Sequence, residues 1–408
     1  MTFSELNLDS SLLGALPAEL QTPTTIQQLA IPVILSGRDL LALAQTGSGK
    51  TFAYGLPLLQ KTLPTTAYIQ TLIIVPIREL ASQVSQQLSL VATPMNIDVC
   101  ALCGGVDQQS QQERLIQNPQ IIVATPGRLL DLIEQQIINL SSLQHLVLDE
   151  ADRLLEMGFW PDVQRIINHL PTQKQTLLFS ATLLPDLEEK ALQPLKEPIK
   201  ISASPPNQTV PEIDEQLYLV NKGSKAQVLI GLLKQHHWPQ ALVFIGARDN
   251  AEALAKKLLK AGIRVAALHG NKVQTEREQI LAQFKQQKIE VLIATDVLAR
   301  GIHIEKLPVV INFDLPPSPA VYIHRVGRTA RAGKAGLAIS LVCHNESVTL
   351  DAIRQLTQRP LVLQTLADFP VTDQPATAAP KRQPRDKQAN RRSAQKRSVK
   401  QFQSKSSR

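Results

Sequence analysis

The sequence predicts an α/β protein with two consecutive, mostly parallel sheets, each covered by helices, followed by a disordered basic tail. Three observations carry that expectation. Short apolar runs alternate with helix-length segments in two separate series, a proline-rich break divides the series, and nearly all the net positive charge lies past residue 374. Runs that are apolar on both faces suit strands buried between two helical layers, and parallel neighbours need crossovers of a dozen or more residues.

The first series comprises residues 40–43, 72–75, 97–102, 121–124, 146–148 and 176–179, and the second 241–245, 265–268, 291–294, 309–313 and 337–342. Between them, residues 201–211 read Ile-Ser-Ala-Ser-Pro-Pro-Asn-Gln-Thr-Val-Pro, with no helical period. A chain of 408 residues exceeds what one core usually supports. The expected division is therefore a first domain over 1–202, a linker over 203–214, a second domain over 215–370 and a tail over 371–408. Within the second series, 249–262 reads as a helix with Asp249 as N-cap, Glu252 completing a capping box and Gly262 at the C-cap.

Residues 375–408 hold eleven Lys and Arg against one acid, Asp386, whereas the other 374 residues carry 32 basic and 34 acidic side chains. The tail contains one aromatic residue, Phe402, and is rich in Gln, Ser, Ala and Pro, so it cannot bury enough to fold alone. No apolar run reaches the length of a membrane span, and the N-terminus lacks a basic-then-apolar segment, which predicts a cytoplasmic protein. Three cysteines fit a reducing compartment. Cys100 and Cys103 form a C-x-x-C on a predicted strand, where residues three apart face opposite sides, so buried structural thiols are expected.

Two stretches carry chemistry. Ala44-Gln45-Thr46-Gly47-Ser48-Gly49-Lys50-Thr51 follows the run 40–43 and opens a helical segment, and it spells a phosphate loop with Ala in place of the first Gly. Gly47 and Gly49 let the backbone turn its amides inward, Lys50 reaches β and γ phosphates, and the Thr51 hydroxyl is a ligand for Mg2+. The following helix dipole adds to the pull on an anion. About a hundred residues on, the run 146–148 ends in Asp149-Glu150-Ala151-Asp152. Adjacent carboxylates at a strand end place negative charge where a hard cation takes oxygen ligands.

With these stretches in place, the chain resembles the DEAD-box ATP-dependent RNA helicases of superfamily 2 over nearly all of residues 1–370, with a looser similarity to their bacterial RhlE-like branch. The acidic stretch spells the family name, and further motifs follow in family order: Pro23-Thr24-Thr25-Ile26-Gln27, residues 76–81, Gly104-Gly105, Thr125-Pro126-Gly127-Arg128, Ser180-Ala181-Thr182, Thr295-Asp296 through Gly301, and His324-Arg325-Val326-Gly327-Arg328-Thr329-Ala330-Arg331. The resemblance implies two RecA-like domains that close on ATP, Mg2+ and RNA.

It further implies a role for each matching residue. Gln27 would read the adenine edge, and residues 45–51 would hold the phosphates. Asp149 would hold Mg2+ through water, and Glu150 would orient or deprotonate the attacking water. Arg328 and Arg331 would act as arginine fingers, while His324 and Arg325 join the domains around the acidic stretch. Asp152, Ser180 and Thr182 would report nucleotide state. RNA phosphates would meet Arg78, Gly105, Thr125, Gly127 and Arg128 in the first domain and Gly270, Gln274, Arg277, Thr295 and Arg300 in the second. Such contacts read no bases, so low sequence specificity is expected, with 2′-hydroxyls selecting RNA.

Four positions depart from the family pattern: Glu19 and Leu20 stand where a glycine and an aromatic are usual, Ala247 replaces a threonine, and His303 replaces an aspartate that accepts from the ATP ribose. A clamp or assembly scaffold that binds RNA under ATP control without unwinding shares every motif; strand displacement measured beside RNA-stimulated ATPase separates the two. Ribonucleoprotein or degradation-complex partners are expected through the tail.

Overall fold

The computed structural model describes residues 1–374 except 19, 46, 183–184, 204–212, 297–306 and 330–335, and for 185–187, 191 and 274 the backbone alone. Most of the predicted linker and the tail from residue 375 thus lie outside the described residues. Met1–Val371 forms one compact body that contains both sheets.

The first sheet holds β1 (Leu40–Leu43), β2 (Thr71–Ile74), β3 (Val99–Leu102), β4 (Ile121–Ala124), β5 (His145–Leu148), β6 (Gln175–Ser180) and β7 (Ile199–Ser202). The second holds β8 (Ile213–Leu219), β9 (Ala241–Phe244), β10 (Val265–Leu268), β11 (Val291–Ala294), β12 (Val309–Asn312), β13 (Gly336–Val342) and β14 (Leu363–Gln364). Every pairing is parallel. The orders are β3-β4-β2-β5-β6-β1-β7 and β10-β11-β9-β12-β13-β8-β14, so the second sheet is the first with each strand number raised by seven.

Alternation along the strands divides each core in two. Leu40 and Ala42 join one apolar cluster and Leu41 the other; Ile73 likewise separates from Leu72 and Ile74. Helices cover both faces, which is why β2, β4, β5 and β6 are buried along their whole length. Cys100 and Cys103 fall into opposite clusters as expected, both buried and free, and burial pushes the Cys100 thiol up to about 11. Among the described residues no helix is long and apolar enough to cross a membrane.

Several local expectations are corrected. The third strand begins at Val99 rather than residue 97. Ile213 and Asp214, read as linker, belong to β8. β7, β8 and β14 escaped the periodicity because they lie at or next to sheet edges, where half-exposed positions admit Lys200, Asp214, Glu215 and Gln364. The helix Arg248–Lys260 takes Ala247 as N-cap without a side-chain cap, and Asp249 sits in its first turn. Glu252 turns to His269 Nε2 at 2.8 Å and Lys272 Nζ at 3.3 Å instead of closing a capping box.

Candidate functional site

Apart from residues 23–27, which open the helix Thr25–Leu35, and the 324–331 motif, which begins in the helix Pro319–Val326, the predicted motifs follow strand C-termini, the edge where open parallel sheets receive ligands. The phosphate loop leaves β1 and enters the helix Lys50–Lys61. Ser48 tightens the turn by donating through its Oγ to the Gln45 carbonyl at 2.8 Å. Gly49 has φ +93°, and a Cβ there would lie 2.6 Å from Gln27 Nε2, so both conformation and space demand glycine. Gln27 Nε2 donates to the Gly49 carbonyl at 3.0 Å, and its Oε1 accepts from Thr24 N–H at 2.9 Å. Gln27 is thereby stitched to the phosphate loop, with one N–H and one lone pair left over. Thr46 lies outside the described residues.

Lys50 is buried, and its ammonium has no hydrogen-bond partner among the described residues. Past the end of β5 stand Asp149 and Glu150. Asp149 Oδ1 accepts from Glu150 N–H at 2.9 Å and Oδ2 from the Tyr54 hydroxyl at 3.0 Å. Tyr54 is wholly buried edge-on to Phe179, with ring centroids 5.2 Å apart. Burial, followed by the charge of Asp149, raises its phenol well above the ordinary range, so it stays a donor. No motif marks Tyr54; its signal is helical spacing, since residues four after Lys50 and three after Thr51 share their face. Glu150 sits in the left-handed region at φ 52°, uncommon for a residue with a side chain, and its carboxylate pairs with the wholly buried Arg153. Arg153, the residue after the family-naming motif, is a second participant that motif matching leaves unassigned.

Asp152 is the junction. Its Oδ2 accepts from Ala181 N–H at 3.2 Å, Thr182 N–H at 3.0 Å, Thr182 Oγ1 at 2.9 Å and His324 Nε2 at 3.0 Å. Burial alone would raise this carboxyl, but the charge and hydrogen bond of His324, with Lys50 and Arg153 nearby, hold it far below the usual carboxylate range. Ser180 Oγ donates to the Thr182 carbonyl at 2.7 Å, which shapes the turn that presents both threonine donors. His324 comes from the second domain, so of the expected coupling residues, Asp152, Ser180, Thr182 and His324 lie in one hydrogen-bonded set that spans both domains.

Arg325 corrects its expectation. It is wholly buried inside the second domain, where it holds Asp296 with two bonds of 2.6 and 2.8 Å, Asn312 Oδ1 at 3.1 Å and the Asp314 carbonyl at 2.6 Å, against the Phe244 ring. A fork committed to these groups organises its own domain rather than joining two. Arg328 is buried just beyond the helix Pro319–Val326. Arg331, His303 and Arg300 lie outside the described residues.

Arg277, expected on an RNA phosphate, is 3 % exposed and forms an ion pair with Glu79 of the first domain. Its task in this conformation is to hold the domains together. Ser318 adds a third cross-domain bond, its hydroxyl lying 3.4 Å from Glu156 Oε1. The remaining first-domain positions cluster past β2, β3 and β4: a Cβ at Gly105, with φ +76°, would lie 2.2 Å from Arg78 Nη1, and Arg128 Nη2 donates to the Val106 carbonyl at 3.1 Å. Thr125 is the N-cap of the helix Pro126–Glu134, leaving its hydroxyl and the Gly127 amide at an anion-friendly terminus. In the second domain Gly270 follows β10, Thr295 follows β11, and Gln274 opens the helix Gln274–Lys285. Arg248, beside Ala247, donates to Asn271 Oδ1 at 2.7 Å.

Residues 24–189 match the DEAD/DEAH box helicase family, and residues 224–333 match the helicase conserved C-terminal domain. The DEAD-box ATP-dependent RNA helicase CshA of Bacillus subtilis is 40 % identical over 363 residues, covering 88 % of this chain and 73 % of that protein. The ATP-dependent RNA helicase SrmB of Escherichia coli is 41 % identical over 367 residues, covering 88 % of this chain and 83 % of that protein. Neither carries the RhlE name. Among solved structures, S. cerevisiae Dbp5 bound to RNA and ADP BeF3 superimposes with a TM-score of 0.81 at 32 % identity, covering 90 % of this chain and 95 % of that one. Mss116 bound to ssRNA and UDP-BeF gives 0.82 at 27 %, covering 90 % and 80 %. Sequence likeness of this extent, on the same pair of RecA-like sheets, establishes that the chain belongs to the DEAD-box family of ATP-dependent RNA helicases.

Proposed function

We propose that this chain closes its two RecA-like domains on ATP and RNA, holds RNA by its backbone and remodels short duplexes as it hydrolyses ATP. The observation that carries the reading is the Asp152 junction beside Lys50: a buried ammonium without a hydrogen-bond partner among the described residues, next to a carboxylate bridged across the cleft to His324. A buried ammonium whose N–H groups go unmet is costly unless an acceptor is meant to reach it. Lys50 and the loop amides supply the seat for the triphosphate. Tyr54 and Glu150 N–H each occupy one lone pair of Asp149 and aim its carboxylate, while Arg153 steers Glu150 toward the position of the attacking water.

The donor set of the Thr51 hydroxyl and one aspartate suits Mg2+, and no cluster of three or more His, Cys, Asp or Glu side chains competes for a metal among the described residues. When bound there, Mg2+ neutralises charge on the phosphate oxygens. Arg328, with Arg331 beyond the described residues, is assigned to the charge that develops on the γ phosphate. Gln27 keeps one donor and one acceptor for adenine. Asp152, through Thr182 on one side and His324 on the other, ties the nucleotide site to closure.

For RNA, we assign backbone contact to Arg78, Gly105, Thr125, Gly127 and Arg128 in the first domain, and to Gly270, Gln274, Thr295 and Arg300 in the second. The likeness to Dbp5 bound to RNA and to Mss116 bound to ssRNA supports this placement. The basic tail concentrates RNA, and ribonucleoprotein or degradation-complex partners are assigned to it by charge. The test is RNA-stimulated ATPase and duplex displacement on one preparation, with Lys50→Ala as the inactive control. ATP turnover indifferent to RNA would overturn the reading, and stimulation without displacement would replace the helicase by a clamp.

A further inference from the structure

Because the second sheet repeats the strand order of the first, each strand end has a counterpart. β1 leads to Lys50, first residue of the helix Lys50–Lys61; β8 leads through Gly223 and Ser224 to Lys225, first residue of the helix Lys225–His236. β5 is followed by Asp149; its counterpart β12 is followed by Phe313 and Asp314. β6 runs into the turn at Thr182; its counterpart β13 runs into the turn His344–Glu346. The second domain thus sets a lysine and two carboxylates where the first sets its nucleotide site, although Val220-Asn221-Lys222-Gly223-Ser224-Lys225-Ala226 spells no phosphate loop.

The two lysines are equally buried but differently engaged. Lys50 Nζ has no hydrogen-bond partner among the described residues. Lys225 Nζ donates to Glu346 Oε2 at 2.9 Å, the Phe313 carbonyl at 2.7 Å and Asp314 Oδ1 at 3.3 Å. The carboxylates also collect backbone amides: Glu346 accepts from Cys343 N–H at 2.9 Å and Leu315 N–H at 3.0 Å, and Asp314 from Gly246 N–H at 3.0 Å. One ammonium and several backbone N–H groups are the donors that a phosphate loop offers a phosphate. Beside them opens a cavity of about 410 Å³ whose lining includes Lys222, Lys257, Ile245 and Leu254.

We propose that the second domain contains a latent phosphate site, the counterpart of the nucleotide site, in which the carboxylates of Asp314 and Glu346 stand in for the anion. Its ligand class is a pyrophosphate-bearing molecule. With both carboxylates present the group of three carries one net negative charge and its donors are occupied; with both neutralised it carries one net positive charge and frees donors for an anion. The device confines nucleotide to one cleft, so that closure answers to a single ATP. It takes from the proposed function only that Lys50 marks a phosphate position, and loss of ATP binding in Lys50→Ala tests that separately.

The experiment uses the full chain carrying Lys50→Ala, inorganic pyrophosphate as probe, and titration calorimetry with thermal midpoints. Adding Asp314→Asn and Glu346→Gln should tighten pyrophosphate binding at least ~tenfold and raise the midpoint with ligand, and a further Lys225→Met should erase the gain. The same Lys225→Met change in the parent should leave pyrophosphate affinity unchanged while lowering the midpoint without ligand, which also subtracts binding by the basic tail. A folded double variant with the parent's affinity overturns the proposal, as does a gain that persists without Lys225. If the double variant does not fold, Glu346→Gln alone serves: its midpoint should rise with pyrophosphate where the parent's does not, and equal responses overturn the inference.

Discussion

Tyr54→Phe removes one oxygen from the wholly buried contact between the phosphate-loop helix and Asp149, and leaves the ring against Phe179 in place. Hydrogen bonds to charged groups contribute about 1.5–3 kcal/mol. Asp149 keeps its second donor, Glu150 N–H, so the lower end applies, and about 1.5 kcal/mol corresponds to roughly tenfold in an equilibrium or rate. The loss should fall on steps that need Asp149 aimed at the metal: RNA-stimulated turnover about tenfold lower, and a comparable rise in the Mg2+ concentration for half-maximal nucleotide binding. RNA affinity without nucleotide should stay unchanged, because Tyr54 is wholly buried and offers RNA no contact. The assay is fluorescent-nucleotide binding across a Mg2+ series, beside steady-state ATPase. Unchanged Mg2+ dependence in a folded Tyr54→Phe protein would refute the positioning role, and an equal fall in nucleotide-free RNA affinity would show a general loss of structure.

Glu150→Gln should keep ATP and RNA binding and lose turnover, because the amide preserves shape without a base; hydrolysis at the parent rate under saturating RNA would reject the assignment. Glu79→Gln and Arg277→Met should each weaken ATP-dependent RNA binding, and the double variant should lose less than the sum of the two single losses, as a double-mutant cycle on the cross-domain pair checks. Burial, aided by the charge of Lys61, lowers His145 to about 4. A histidine whose folded value lies below its unfolded value of about 6.5 gives full stability above that value, lost as pH falls toward the folded one; His145→Gln should therefore flatten the urea midpoint against pH between about 4 and 6.5 relative to the parent. For the tail, a chain ending at residue 374 should flatten the slope of log RNA affinity against log salt by about 3 to 4, taking about −0.7 per phosphate for half the tail charges. Equal slopes would leave the tail a solubility or protein-binding arm.

Local chemistry was legible in the residues alone. Apolar runs on both faces announced eleven of the parallel strands within a residue or two, because a strand between two helical layers has no polar side to blur the signal. The phosphate loop and the acidic stretch were legible because glycine, lysine and carboxylate at those spacings have few other uses. The strands at one end of each sheet, β7, β8 and β14, were not, since half-exposed positions there tolerate the polar residues that also make turns.

What the tertiary structure alone decided is which groups meet. Asp152 and His324 are 172 positions apart and Glu79 and Arg277 are 198 apart, and no local pattern encodes either distance. The assignment of Arg325 to domain closure failed because an arginine fork shows its charge in the sequence but not its partners, and folding spends this one on Asp296 and Asn312. Tyr54 meets Asp149, 95 positions away, only because the helix after the phosphate loop packs against the turn after β5. The relation between Lys50 and Lys225 is of the same kind. Both are lysines opening a helix, and only the carboxylates delivered by strands a hundred residues away make one a seat for phosphate and the other a closed ion pair.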